Sequence, residues 1–147
     1  GRVKWSGKGP WLRQHDPEFR AGGTIVIFNN NAYKTAYETP AELAPLTYER
    51  GSTIVEVDPV TGEVTTLYGE APDQEMLTII RGKIDLRPAS GVLVTDFEAG
   101  RAFQPDSDGN LVWQYINRYD EDEVAEITEA RAYPADYFTV TDWSCAN

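Results

Sequence analysis

The chain has 147 residues, enough for one domain with a substantial core, and a net charge of −11 with one histidine, one cysteine and one methionine. Its 24 acidic residues against 13 basic ones exclude a surface that tracks a phosphate backbone, because that needs a basic stripe. No stretch approaches the roughly 18 apolar residues of a membrane-spanning helix, and no leader peptide is visible, so the sequence reads as cytosolic or as stripped of its targeting segment.

Along the chain, Arg2-Val-Lys-Trp-Ser6 alternates as a strand does and resembles Asn110-Leu-Val-Trp-Gln114. Residues 1–13 therefore read as the closing strand of a preceding sheet, ended by Gly9-Pro10. Gln14-His15-Asp16-Pro17-Glu18-Phe19 leads into Thr24–Phe28, an apolar run typical of a strand buried on both faces. Thr39–Pro45 is a helix-like stretch, either a lid or a packed decoration. Ile54–Val57 and Glu63–Tyr68 flank Asp58-Pro-Val-Thr-Gly62 and form a hairpin, the Gly supplying a positive φ. Leu93–Asp96 is a second buried-type strand, and Phe103 to Trp113 repeats the hairpin around Gly109.

From Glu121 to Tyr133, Val124, Ile127 and Ala130 at spacings of three predict an amphipathic helix of about three turns, stopped by Pro134. Tyr133, Tyr137, Phe138 and Trp143 then either pack that extension onto the sheets or form an aromatic platform. Cys145 is an unpaired thiol or half of a bridge to another segment. Asp120-Glu-Asp-Glu123 is a solvated loop or a divalent-cation site.

The segments repeat. Arg20–Phe28 returns as Arg87–Thr95 at an offset of 67, Ser52–Val57 as Gly100–Pro105 at 48, and Gly62–Tyr68 as Gly109–Tyr115 at 47. A period near 45–50 residues marks radially repeated four-stranded sheets, so the expected fold is all-β, two to three β-propeller blades with a C-terminal helical extension. The expected units are residues 14–70 with an inserted loop at 33–50, 71–117, and the extension at 118–147. Two blades leave open sheet edges, so the chain reads as a piece of a larger polypeptide or as half of a two-chain assembly.

In this arrangement His15 faces the central channel as a nucleophile or general base, with Asp16 or Glu18 to fix its tautomer. The alternative is a loop-corner histidine that satisfies a backbone carbonyl. The repeat aligns Gly82-Lys83 with His15-Asp16 and Arg81 with Gln14, which either brings Arg81 and Lys83 near the same mouth, suited to an anionic ester, or leaves them as surface charge in a loop. Asn29, Asn30 and Asn31 either end the strand or hold an oxyanion. No metal-binding or cofactor motif is present in the sequence.

Gly9-Pro-Trp-Leu-Arg-Gln-His-Asp-Pro-Glu-Phe19, the Thr24–Asn30 strand, Ile54–Val64, Gly109–Tyr115 and Arg131-Ala-Tyr-Pro-Ala-Asp-Tyr137 together resemble the C-terminal part of the bacterial, nucleotide-independent arylsulfotransferase propellers. The resemblance implies a six-bladed ring with its active site on the axis, in a periplasmic or extracellular protein. It also implies sulfuryl transfer from a phenolic sulfate ester to a phenol through a channel histidine, without a cofactor. On that reading His15 is the nucleophile or acid–base group and Arg81 the oxyanion stabiliser, with Asp16, Asn29, Asn30 and Lys83 at the substrate. A different expectation is a non-catalytic propeller that binds a protein or glycan through its acidic surface and insertion.

Overall fold

The computed structural model describes residues 1–32, 51–87, 91–140 and 142. The expected insertion at 33–50, with Thr39–Pro45, and both Trp143 and Cys145 lie outside the described residues. The fold is all-β, with no helix among the described residues. Its strands are β1 (His15–Phe19), β2 (Ile25–Asn29), β3 (Thr53–Val57), β4 (Val64–Tyr68), β5 (Lys83–Leu86), β6 (Val92–Asp96), β7 (Arg101–Pro105) and β8 (Leu111–Ile116). They form two antiparallel four-stranded sheets, β1-β2-β3-β4 and β5-β6-β7-β8, each laid out in chain order.

The apolar run at β2 is buried on both faces for a visible reason. Val26 and Phe28 point into a core shared with Ile54 and Tyr68 of their own sheet and with Ile84, Val92, Val94 and Phe103 of the other. Ile25 and Ile27 point the opposite way, onto Val55, Val57 and Trp11. The Tyr68 and Phe103 rings meet across the sheets at 4.9 Å and a tilt of 47°. Both hairpins turn on an aspartate. Asp58 Oδ1 accepts the Val60 and Thr61 N–H groups, and Asp106 Oδ1 those of Asp108 and Asn110, with Gly62 and Gly109 at φ 78° and 84°.

The sequence alignment of the two copies is corrected at β1. His15 pairs with Phe28, and Lys83 pairs with Thr95, the repeat partner of Phe28. Lys83, not Gly82, is thus the counterpart of His15. The shift comes from a bulge between His15 and Glu18, where Asp16 takes φ 49° and adds one residue to β1. Nor does Gln14–Phe19 simply precede the first strand. His15–Phe19 is itself the edge strand, and β2 is the second in the sheet.

Arg2–Ser6 is exposed and pairs with no strand among the described residues. One further expectation fails. Residues 121–133 are not helical. The N–H groups of Ala125, Ile127, Ala130 and Ala132 donate instead to Asn117 O, Phe97 O, Thr95 Oγ1 and Asp85 Oδ2. Those four residues are the half-buried ones, so the segment is an extended strap from the end of β8 across to β5. A period of three fits extended chain as well as helix, and here the sheet supplied partners for the backbone. Gly100, at φ 54°, lets the strap in, because a side chain there would collide with the Ala125 carbonyl.

Candidate active site

Antiparallel alternation puts the start of β1, β3, β5 and β7 and the end of β2, β4, β6 and β8 at one end of the sheets. His15, Asn29–Asn31, Arg81, Lys83 and Asp96 all fall there. His15 is half-buried, with Nδ1 2.6 Å from Asn30 Oδ1 and 3.0 Å from the Arg13 carbonyl. Asn30 is fully buried, and its Nδ2 donates to Thr78 O at 2.7 Å and to Arg81 O at 2.9 Å.

These bonds fix a tautomer. Two carbonyl acceptors demand the amide nitrogen of Asn30, which turns its oxygen toward the ring. Nδ1 then faces two acceptors and must carry the proton, so the lone pair resides on Nε2. No described residue hydrogen-bonds Nε2. Orientation by Asn30 replaces the role expected of Asp16 or Glu18. The bulge turns Asp16 toward the second sheet, where Oδ2 accepts the Ile84 N–H at 2.8 Å, and Glu18 accepts the Leu86 N–H at 3.3 Å. Burial pushes the Glu18 carboxyl up, partly opposed by that hydrogen bond.

Behind His15 a buried polar chain crosses between the sheets. The Ser52 hydroxyl lies 2.9 Å from Asn30 O and 3.1 Å from Thr78 O, and accepts the Thr78 N–H at 3.0 Å. Thr78 donates its hydroxyl to Asp96 Oδ1 at 2.5 Å. Asn30, Ser52, Thr78 and Asp96 are each at most 2% exposed. A buried hydrogen-bonded network of this kind is rigid, because each bond broken would leave a desolvated polar group.

The backbone around it is strained. Arg13, Asp16, Asn31 and Arg81 adopt φ between 49° and 61°, the region that disfavours non-glycine residues. Such residues cost about 1 kcal/mol or more each and cluster at functional sites. Arg13 and Arg81 stand two residues before His15 and Lys83, so the strained arginine belongs to the repeat.

The remaining expected residues are placed less directly. Arg81 offers its carbonyl to Asn30 while its guanidinium lies 4.5 Å above the Phe97 ring. Lys83 Nζ is 3.1 Å from Glu129 of the strap and 3.9 Å from Asp16. Arg131 first, and Lys83 after it, hold the Glu129 carboxyl below its usual range. Asn29 braces the approach to β1, accepting the Leu12 N–H at 2.8 Å and donating to Thr53 Oγ1 at 3.1 Å. Ser52, Thr78 and Asp96 escaped the sequence reading. The one available signal was that Asp96 repeats Asn29 at an offset of 67.

Among the described residues no three His, Cys, Asp or Glu side chains are grouped to hold a metal ion. In the acidic run, Asp120 Oδ1 accepts the Asp122 and Glu123 N–H groups and forms a turn. The aromatic residues Tyr133, Tyr137 and Phe138 stack on one another at 4.5 to 5.2 Å and stay exposed.

Fold and site together define a protein of repeated four-stranded antiparallel sheets that carries a tautomer-fixed histidine at the sheet end. Residues 1–118 match the arylsulfotransferase (ASST) family, and the chain belongs to it. The match spans both sheets and stops before the strap, so Arg131–Tyr137 lies outside it. No curated protein matches the chain.

Proposed function

We propose that the chain takes part in sulfuryl transfer from a phenolic sulfate ester to a phenolic acceptor, with His15 Nε2 as the nucleophile. The observation that carries this is the Asn30 amide, which holds the Nδ1 proton in place and directs the lone pair to Nε2. Nε2 attacks sulfur, the ester S–O bond breaks, and the phenolate departs, leaving an N–S bond on the ring. The acceptor hydroxyl gives up its proton to solvent, its oxygen attacks sulfur, and the N–S bond breaks to return the lone pair to Nε2.

The proton stays on Nδ1, hydrogen-bonded to Asn30 Oδ1, throughout, so the cationic ring of the intermediate is hydrogen-bonded from its first moment. Arg81 and Lys83 supply positive charge at this end for the sulfuryl oxygens, Lys83 by exchanging Glu129 for the substrate. The two sheets are consecutive blades of a larger propeller in a periplasmic or extracellular protein. Support for the ring comes from the inter-sheet core and from β1 and β8, which pair with no further strand among the described residues.

The test is release of nitrophenol from 4-nitrophenyl sulfate with added phenol, comparing the protein with His15→Ala. Phenol-dependent release that falls at least about a hundredfold in the variant supports the reading. Release that survives the substitution, or no release from folded protein, removes it.

One observation favours a second reading. β8 presents Leu111, Val112, Trp113 and Tyr115 at 41 to 64% exposure on a sheet edge that pairs with no other strand among the described residues, a surface suited to pairing with another chain. A solution mass equal to one chain would argue against it.

A further inference from the structure

The sulfuryl-transfer reading leaves one buried carboxyl unused. Asp96 closes β6 at 2% exposure, with Oδ1 bound to the Thr78 hydroxyl. Among the described residues nothing donates to Oδ2 and no cation lies within ion-pairing distance. Asp96 lines a cavity of about 580 Å³ between the β4–β5 connection and the β6–β7 turn, a volume typical of small-molecule sites.

The rest of the lining defines what fits. Met76, Leu77 and Ala99 supply apolar wall, and Glu70 and Glu75 add two carboxylates. The one basic lining residue is Arg101, whose guanidinium is held 4.2 Å above the Phe103 ring. Its Nε is buried without an acceptor and its guanidinium is packed against the ring, so it acts on Asp96 across the β6–β7 pair through its charge and without an ion pair. Burying a carboxyl without a direct ion pair is costly, and burial pushes Asp96 up, only partly opposed by the Thr78 hydroxyl and the Arg101 charge. Buried, unpaired, perturbed carboxyls in cavities are characteristic of ligand sites.

We propose that this cavity binds a small organic cation, an ammonium or amidinium group on a compact apolar body. The charge meets Asp96 Oδ2, and the body lies against Met76, Leu77 and Ala99. The proposal stands apart from sulfuryl transfer, and its failure would leave that reading intact.

Calorimetric titration with benzylammonium, and with benzyl alcohol as its uncharged counterpart, tests it. The expected result is saturable one-to-one binding of benzylammonium, weaker by about tenfold or more in Asp96→Asn, where one charge-assisted hydrogen bond is lost. Benzyl alcohol should show no saturation. Absence of saturable binding, equal binding of both probes, or unchanged affinity in folded Asp96→Asn overturns the proposal. Should Asp96→Asn not fold, Ala99→Leu fills the cavity from a half-buried turn position and keeps the carboxylates. Binding that persists in folded Ala99→Leu likewise overturns the proposal.

Discussion

Asn30→Ala removes the group on which the geometry at His15 depends. Asn30 is fully buried and its amide makes three hydrogen bonds, one to the His15 ring and two to the Thr78 and Arg81 carbonyls. At about 1 kcal/mol net for each, the substitution costs about 3 kcal/mol. Thr78 O and His15 Nδ1 retain other partners in Ser52 and Arg13, whereas the Arg81 carbonyl, on a residue at φ 61°, loses its donor. For a chain of this size 1 kcal/mol corresponds to roughly 3–4 °C, so the melting temperature should fall by roughly 10 °C.

The second readout is the ring. The sequence contains one histidine, so its nitrogen resonances identify themselves. At a pH where the ring is neutral, the protein should show the proton on Nδ1, and Asn30→Ala should show a mixture of tautomers. Sulfuryl transfer should fall with the Nδ1–H fraction. A parent protein with its proton on Nε2, or a variant with the parent's tautomer and a loss below about 1 kcal/mol, would refute the reasoning.

Burial raises the folded Asp96 pKa above the 3.8 of the unfolded chain, so the unfolded state ionises first. From 3.8 up to the folded value stability falls as pH rises, and above that value the penalty is constant. Asp96→Asn should therefore lose this part of the pH slope in urea unfolding, and an unchanged slope would count against a buried, unpaired carboxyl. Gly82→Ala, at φ 89° with its new Cβ 2.6 Å from the buried Phe28 ring, should cost about 2 kcal/mol or more. Gly62→Ala, at φ 78° in open space, should cost only the backbone part, about 1 kcal/mol. Equal thermal shifts for the two would show that the Phe28 contact is wrong. Ala130→Pro removes the N–H that ties the strap to Thr95 and should speed tryptic cleavage after Arg131. Glu129→Gln, which breaks only exposed pairs with Lys83 and Arg131, should leave the melting temperature essentially unchanged, and a clear drop would mean the ion pairs hold the strap.

The residues that were legible from sequence are those whose neighbours lie close along the chain. The β2 and β6 runs, the Asp58 and Asp106 turns and the offsets of 67, 48 and 47 follow from local hydrophobic period and turn chemistry, and each reappears as a strand or hairpin. Positions decided by distant partners were not legible. The repeat alignment slipped by one at His15 because a bulge leaves no mark in an ungapped comparison. The spacing of Val124, Ile127 and Ala130 suits helix and extended chain alike, and only acceptors at Asn117, Phe97, Thr95 and Asp85 resolved it.

The same division runs through the site. His15 was a candidate by its chemistry alone, and Asn30 by its place after a buried strand. Their pairing was decided by contacts of 15 residues' separation for the ring, and of 48 and 51 for the amide. Hydrogen bonds of that separation exist only once two sheets have packed through a shared core and excluded water from the end where they meet. Sequence determined which groups were available, the repeated strands and a single imidazole. Tertiary structure decided which nitrogen carries the proton, because that depends on which acceptors the second sheet holds against the first.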